Sequence, residues 1–278
     1  MRAALDGGIS WFDTAEVYGW GASEEGLAAA LHAAGKQPGE VLVATKWWPM
    51  LRTARSITGT IDERLRRLGG FPIDLHQVHQ PFALASIGAQ MDAMAELVKA
   101  GKIRGVGVSN FSARRMRAAH EALARHGLPL LTNQVKYSLL DRRVELDDTL
   151  QTARELGVTL IAYSPLEQGL LTGVFHQDPD LIRRRPGFRR YLPEFRRERI
   201  VRSAPLIEAL RRIGDRRGAS PAQVALCWLL CAHGDLVVAI PGATKVRHAV
   251  EAAGAMGFRL DEGEVRELDE LSWRYTRR

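Results

Sequence analysis

The chain has 278 residues, of which 46% are hydrophobic and 26% are charged, and its formal net charge is +7. No window approaches the run of about 20 apolar residues that crosses a bilayer, and the first residues lack the apolar segment of a secretory signal peptide. We therefore expect a cytoplasmic protein with no membrane partner. Its two cysteines, Cys227 and Cys231, are too few for a closed zinc site, so we expect core residues and no metal.

Seven apolar runs rich in β-branched residues recur along the chain and predict seven β-strands. They are Ile9–Phe12, Val41–Ala44, Asp74–Val78, Ile103–Val108, Thr132–Val135, Thr159–Tyr163 and Leu236–Ile240. The runs are nearly continuous instead of alternating, as expected for strands that are covered on both faces, and helical patterns lie between them. Strands that alternate with helices predict a parallel α/β sheet.

Helix ends are marked between these strands. Ser220-Pro221-Ala222-Gln223 has the composition of a capping box before an apolar stripe. Glycines suited to close a helix follow four other helical patterns, at Gly35, Gly101, Gly127 and Gly157. No linker, duplication or low-complexity stretch divides the chain, so we expect residues 1–278 to form one barrel-sized domain.

Four polar side chains lie near the ends of the first three predicted strands. Asp13 and Tyr18 follow the first strand, Lys46 follows the second and His79 follows the third, and the intervals from Asp13 to Lys46 and from Lys46 to His79 are both 33 residues. Because one strand–loop–helix–loop unit takes roughly 30 residues, each group would sit at the carboxyl end of a successive parallel strand. Each residue alone has an ordinary structural explanation, but their common spacing predicts one shared site.

Seven peptides resemble, in order, the landmarks of the aldo-keto reductases. They are Asp13–Gly19, Ala44–Lys46, Val78–Pro81, Gly105–Phe111, Asn133–Val135, Ala162–Leu166 and Ile240–Ala243. The resemblance extends over essentially the whole chain. It implies a TIM-type (β/α)8 barrel that reduces an aldehyde or ketone to an alcohol with NADPH. Its partner would be a small-molecule carbonyl substrate, not a nucleic acid.

The resemblance implies a role for each of the four grouped side chains. Tyr18 would give a proton to the carbonyl oxygen, and because a free phenol has a pKa of ~10, the neighbouring ammonium of Lys46 would be needed to lower it. Asp13 would hold that ammonium in place. His79 would donate a hydrogen bond to the carbonyl oxygen as a neutral imidazole.

The resemblance also implies the cofactor contacts. Ser109, Asn110 and Gln134 would bind the nicotinamide carboxamide, and Tyr163 would stack on the ring. The pyrophosphate would meet Ser164, Leu166, Gln168 and Gly169. The adenosine end of the cofactor would meet Gly242, Thr244, Lys245, Arg247, His248 and Glu251, with Glu251 near the adenine. The positive charge in this set favours NADPH over NADH.

The chain departs from the family at its beginning. Twelve residues precede Asp13, and Arg2–Leu5 followed by Gly7-Gly8 has the pattern of the helix that normally enters this strand. The first strand of the barrel therefore has no residues to form it, and we expect seven barrel strands and an N-terminally incomplete domain. We also expect that Met1 is an internal start and that the natural protein begins some tens of residues earlier.

Other function classes stay open on the sequence alone. An NADPH-binding regulatory or sensor subunit would bind the cofactor but turn over slowly, and a catalytically impaired truncated homologue would bind no dinucleotide. The basic segment between Arg183 and Arg217 would attract a nucleic acid, but no helix-turn-helix, zinc finger or aromatic RNA-binding signature accompanies it. A solvated loop, or a loop over the anionic dinucleotide, also explains this segment. The substrate and the oligomeric state are not determined.

Overall fold

The computed structural model describes residues 1–184 and 191–276. They form two compact units, the first made of Met1–Val135 with Glu145–Ile161 and the second of Lys136–Val144 with the described residues from Ala162 onward. The expectation of one domain over residues 1–278 stays a prediction. In the basic segment, the arginines at 185, 189 and 190 lie outside the described residues.

Seven β-strands occur among the described residues, one at each predicted run. They are β1 (Trp11–Asp13), β2 (Leu42–Trp47), β3 (Leu75–Val78), β4 (Val106–Ser109), β5 (Thr132–Lys136), β6 (Thr159–Tyr163) and β7 (Val237–Ala239). Their order in the sheet is their order in the chain, and the ladders from β1 to β5 are parallel. The predicted seven strands are confirmed, in the sequential order of a (β/α) barrel.

Several strand boundaries differ from the predicted ones. β2 continues past the apolar run through Lys46 to Trp47, because the backbone ladder persists where the side chains become polar: Lys46 is in register with Gln77 of β3. β1 begins at Trp11 and not at Ile9, because the N–H of Ile9 bonds the carbonyl of Ala4 at 2.9 Å and remains in a turn. The apolar runs therefore locate the strands but not the residues at which they end.

The helices follow the strands in alternation, and the short helix predicted before β1 is present. They are α1 (Arg2–Asp6), α2 (Ala22–Ala33), α3 (Arg55–Gly59), α4 (Ile61–Arg67), α5 (Ile87–Lys99), α6 (Ala113–Ala124), α7 (Arg143–Leu146), α8 (Thr149–Leu156), α9 (Val174–Gln177), α10 (Leu181–Arg184), α11 (Arg197–Arg217), α12 (Pro221–Cys231), α13 (Val246–Gly254) and α14 (Glu262–Thr276). The predicted capping box opens α12, where Ser220 Oγ accepts from the N–H of Gln223 at 3.2 Å. The four predicted closing glycines all have φ between 66° and 75°.

Each unit buries apolar side chains between its strands and helices. In the first unit, Val43, Val78 and Val108 of the strands are fully buried, and α5 packs against α3 and α6. In the second unit, α11 packs against α12 and α14. None of the helices within the described residues combines the length and the apolar character needed to cross a membrane.

Candidate active site

A buried ion pair joins the ends of β1 and β2. Lys46 is fully buried, and its ammonium donates to Asp13 Oδ1 and, at 2.8 Å, to the carbonyl oxygen of Thr14. Burial lowers the pKa of Lys46 below that of an ordinary lysine, and the carboxylate of Asp13 acts in the opposite direction. The ammonium is therefore held at one position and its charge is compensated.

Two amides complete the environment of Asp13. Gln77 Nε2 and Gln134 Nε2 each donate to Asp13 Oδ2 at 3.1 Å. The side chain of Gln134, which the resemblance assigns to the nicotinamide carboxamide, here faces Asp13. Sequence reasoning missed Gln77, although it precedes His79 by two residues, and the two-residue period of a strand places such a pair on one face.

Tyr18 and His79 lie beside this ion pair. Tyr18 begins the 3₁₀ turn Tyr18–Gly21 after β1, and its ring centroid is 5.2 Å from Lys46 Nζ and 5.5 Å from the His79 ring, edge to face. The Tyr18 residue is 43% exposed whereas His79 is buried. The structure thus brings together all four groups for which the spacing predicted one site.

His79 is enclosed by aromatic rings and by charge. Burial, assisted by the nearby charge of Lys46, lowers the pKa of His79 to about 4, so the imidazole is neutral at neutral pH. The ring of Trp48 meets it edge to face at 5.2 Å, and Phe82 meets Trp48 at 6.0 Å. An apolar aromatic wall therefore flanks the imidazole.

A buried network of charges anchors the segment between β1 and α2, and the sequence did not reveal it. The carboxylate of Glu16 accepts from the backbone N–H of Trp48 and from the guanidinium of Arg64. Arg64 Nε also lies 3.0 Å from Glu24, whose other oxygen accepts from Thr45 Oγ1 at 2.6 Å. The turn that carries the phenol is thereby tied to the strand that carries the ammonium.

Ser109 and Asn110 lie together at the end of β4. Ser109 Oγ donates to the backbone carbonyl of Gln134 at 2.9 Å, and the N–H of Asn110 donates to the same carbonyl at 2.8 Å. The side chain of Asn110 donates to Ser109 Oγ at 3.2 Å and to Gln80 Oε1 at 3.3 Å. The three residues expected at the nicotinamide carboxamide are therefore neighbours.

In the second unit, a tight turn follows Tyr163, the last residue of β6. Ser164, Glu167 and Gln168 have φ values of 51°, 45° and 54°, and Gly169 has 97°. Residues other than glycine rarely adopt such angles, and they persist mostly at functional sites. The N–H groups of Glu167 and Gly169 donate to Ser164 and Leu166 within the turn. Turns with such backbone angles can direct their other N–H groups toward an anion such as a pyrophosphate.

Exposed cationic residues lie at the beginning of α13. Lys245 is the N-terminal cap residue and Arg247 is in the first turn, and both are exposed. A phosphate is stabilised at such a helix end by the free N–H groups and by the positive side chains. Gly242 is also exposed, and a β-carbon added there would meet no atom within 4 Å.

The other members of this set have polar partners of their own. Thr244 Oγ1 lies 3.4 Å from His248 Nδ1, and Glu251 accepts from Ser220 Oγ at 2.5 Å. Glu251 is therefore bound to the cap of α12. Cys227 is buried with its sulfur 3.6 Å from that of Cys231, and no group of three or more metal-ligating side chains occurs in the described parts of the chain.

Comparison with known proteins decides the family. The family model described as Aldo/keto reductase family matches residues 1–272. The chain belongs to this family. The aldo-keto reductase str7 of Strobilurus tenacellus is 36% identical over 98% of this chain and 80% of its own length. The aldo-keto reductase yakc [NADP(+)] of Schizosaccharomyces pombe is 30% identical over 97% of this chain and 80% of its own.

A solved structure of this family agrees in fold. The crystal structure of an aldo/keto reductase from Klebsiella pneumoniae in complex with NADP and acetate superimposes with a TM-score of 0.75 at 26% identity, over 98% of this chain and 83% of that one. The fold is therefore the TIM-type (β/α)8 barrel of the aldo-keto reductases, represented by seven strands within residues 1–184 and 191–276.

Proposed function

We propose that this chain is an NADPH-dependent carbonyl reductase that converts an aldehyde or ketone to an alcohol. The observation that carries the proposal is the buried Lys46–Asp13 pair, whose ammonium lies 5.2 Å from the centre of the partly exposed Tyr18 ring. Membership of the aldo-keto reductases supports the reaction class. The NADP(+) in the name of the fission-yeast relative and the NADP in the Klebsiella structure support the cofactor.

The residues fit the cofactor in each unit. In the first unit, Ser109 and Asn110 would hold the carboxamide. In the second unit, the turn Ser164–Gly169 would bind the pyrophosphate and the cations at the beginning of α13 would bind a 2′-phosphate. When bound, NADPH would supply a hydride to the carbonyl carbon.

Tyr18 would supply the proton that the reduced oxygen requires. The ammonium of Lys46 favours the phenolate that remains after transfer, and it thereby lowers the pKa of the phenol toward the working pH. Asp13 and the two amides bonded to it keep that ammonium in place. Because Tyr18 is partly exposed, solvent would return the proton after each turnover.

His79 would orient the carbonyl oxygen. Its imidazole is neutral above a pH of about 4, so it donates a hydrogen bond without competing with Tyr18 for proton transfer. The edge-to-face contact between the two rings, with centroids 5.5 Å apart, supports a shared role for the two side chains.

Replacement of Tyr18 with phenylalanine tests the proposal. We expect Tyr18→Phe to lower kcat by at least ~100-fold, because a positioned general acid contributes about 10²–10⁴ in rate. The dissociation constant for NADPH should change by less than about twofold, since the hydroxyl acts in proton transfer. The measurement is NADPH absorbance during turnover of a panel of aldehydes, with cofactor binding followed separately by fluorescence.

Tyr275→Phe is the matched control, because it makes the same substitution at a tyrosine of α14, outside the proposed site. It should leave kcat within about twofold of the wild-type value. Unchanged turnover in Tyr18→Phe would contradict the role of the phenol. A wild-type protein that binds NADPH but reduces no carbonyl of the panel would indicate a sensor in place of a reductase.

A further inference from the structure

The cation of Lys136 and the carboxylate of Glu167 form an ion pair inside the second unit. Lys136 is the last residue of β5, and its Nζ lies 3.0 Å from Glu167 Oε2. Glu167 is 2% exposed, and its other oxygen accepts from Ser138 Oγ at 3.1 Å. One oxygen of this buried carboxylate is therefore held by the end of β5 and the other by the segment that follows it. Glu167 lies between Leu166 and Gln168, two residues that we assign to the pyrophosphate.

Of the carboxylates that approach the ammonium of Lys136 among the described residues, that of Glu167 is the nearest. Two other carboxylates approach the ammonium, Asp141 at 3.6 Å and Glu194 at 3.7 Å. Asp141 is itself bound by Arg143 through two hydrogen bonds of 2.8 and 2.7 Å, so its charge already has a partner. Burial alone would lower the pKa of Lys136, but the carboxylates of Glu167, Asp141 and Glu194 together raise it. Lys136 therefore keeps its positive charge.

The ion pair acts on a strained turn. Glu167 itself has a φ of 45°, and Ser164 and Gln168 have similar angles. Such angles cost conformational free energy in residues with a β-carbon, and they persist only where the surroundings fix them. Two backbone hydrogen bonds of 2.9 Å stabilise the turn from within, from Glu167 to Ser164 and from Gly169 to Leu166. The side chain of Glu167 fixes it from outside.

We propose that Lys136 and Glu167 are positioning residues for the dinucleotide: their ion pair holds the turn Ser164–Gly169 in the conformation that receives the pyrophosphate. The inference rests on the proposed function. The pair also has an electrostatic role, because any negative charge on Glu167 without its ammonium partner would repel the pyrophosphate, although burial raises the pKa of this carboxyl and thereby limits that charge. Lys136 thus contributes to binding in two ways, by fixing the backbone and by neutralising Glu167.

The test compares NADPH binding by four variants of the full chain, K136M, E167Q, the double variant and K136R. We expect K136M to weaken NADPH binding at least tenfold, because it removes the tether and leaves Glu167 without its ammonium partner. E167Q should weaken binding about threefold, since it preserves shape and leaves no carboxylate to repel. The double variant should bind NADPH more tightly than K136M, and K136R should bind within about twofold of the wild type.

Two controls separate positioning from general damage. Lys102→Met removes a cation from an exposed ion pair with Asp62 at 2.6 Å and should leave NADPH affinity unchanged. Adenosine 2′,5′-bisphosphate carries the adenosine phosphates without the pyrophosphate linkage, so every variant should bind it within about twofold of the wild type. Thermal unfolding identifies a variant that fails to fold, and if K136M fails, the shape-preserving E167Q decides the question.

The outcomes distinguish this inference from the proposed function. NADPH affinity within twofold of wild type in folded K136M and E167Q would overturn the inference alone, as would an equal loss of affinity for the bisphosphate. Wild-type protein that binds NADPH without reducing carbonyls, together with a weakened K136M, would support the tether and overturn the reductase. Wild-type protein that binds neither probe would overturn both.

Discussion

At the scale of single residues, the proposed acid–base chemistry depends on the environment of one ammonium. Lys46 is fully buried, and Asp13 opposes the effect of burial on its pKa. Two amides fix Asp13 in turn. The ammonium lies 5.2 Å from the centre of the Tyr18 ring, so the charge of Lys46 acts directly on the proposed proton donor.

The pH dependence of kcat follows from this arrangement. Activity should fall as the pH rises and Lys46 loses its proton. Because burial lowers the pKa of Lys46, this alkaline limb of the profile should lie below 10.5, the ordinary pKa of lysine. Asp13→Asn removes the charge that raises this pKa, so the limb should move to lower pH. Profiles of kcat between about pH 6 and pH 10 measure the displacement.

Asp62→Asn is the control for this prediction. Asp62 is an exposed carboxylate paired with Lys102 at 2.6 Å, and its replacement should not displace the limb. An alkaline limb that stays in place in Asp13→Asn, or moves to higher pH, would show that the carboxylate does not stabilise the ammonium.

The spacing of polar residues along the sequence predicted much of this centre. Asp13, Lys46 and His79 follow one another at equal intervals because each lies at the end of a successive strand, a regularity that is visible without coordinates. The role of Glu16 could not be predicted from the sequence, because its partner Arg64 lies 48 residues away on a helix. Partners that meet only through packing leave no periodic signal in one sequence.

At the scale of secondary structure, the network around Arg64 connects α2, α4 and the segment after β1. Arg64 binds the carboxylates of Glu16 and Glu24, and all three residues are buried. Burial raises the pKa of Glu24 in spite of its hydrogen bond to Thr45 and the two nearby arginines. Without the guanidinium, two carboxylates would remain in the interior with fewer compensating partners.

We therefore expect Arg64→Met to destabilise the protein strongly. Loss of one partner of a buried ion pair costs about 3–5 kcal/mol in the free energy of unfolding. The loss should be smaller at pH 5 than at pH 7, because burial raises the pKa of Glu24 and its stranded carboxyl group can take up a proton. Urea unfolding at the two pH values measures both effects.

Arg66→Met is the matched control, because Arg66 is an exposed arginine on the same helix, α4. Its replacement should change the free energy of unfolding by no more than about 0.5 kcal/mol. Similar losses in the two variants would mean that the buried network contributes nothing specific.

The sequence located every strand but not the residues at which strands end. Apolar runs report burial, whereas a ladder depends on backbone hydrogen bonds that polar residues such as Lys46 continue to make. The ion pair of Lys136 and Glu167 was also beyond prediction. Nothing in either local sequence indicates that a turn after β6 is tethered to the end of β5.

At the scale of the whole molecule, the proposal makes folding stability depend on the cofactor. NADPH at about 100 times its dissociation constant should stabilise the folded chain by about 2.7 kcal/mol, since it binds only the native state. The midpoint of thermal unfolding should then rise by several degrees. NADH at the same concentration should give a smaller rise, because it lacks the phosphate that Lys245 and Arg247 would bind.

Arg247→Met should reduce the difference between the two nucleotides. Arg259→Met replaces another exposed arginine of the second unit, whose guanidinium donates to Phe258 O at 3.1 Å, and it should leave the difference intact. Equal thermal stabilisation by NADH and NADPH in the wild type would contradict the expected preference.

The placement of Asp13 and Lys46 within strands, with His79 directly after one, has a consequence for protein engineering. The aromatic side chains beside the imidazole, Trp48 and Phe82, belong to the segments that follow β2 and β3. Libraries confined to Trp48 and Phe82 would leave Asp13, Lys46 and His79 unchanged. Directed evolution of substrate scope could therefore use these two positions while the residues of the proposed proton-transfer site stay unchanged.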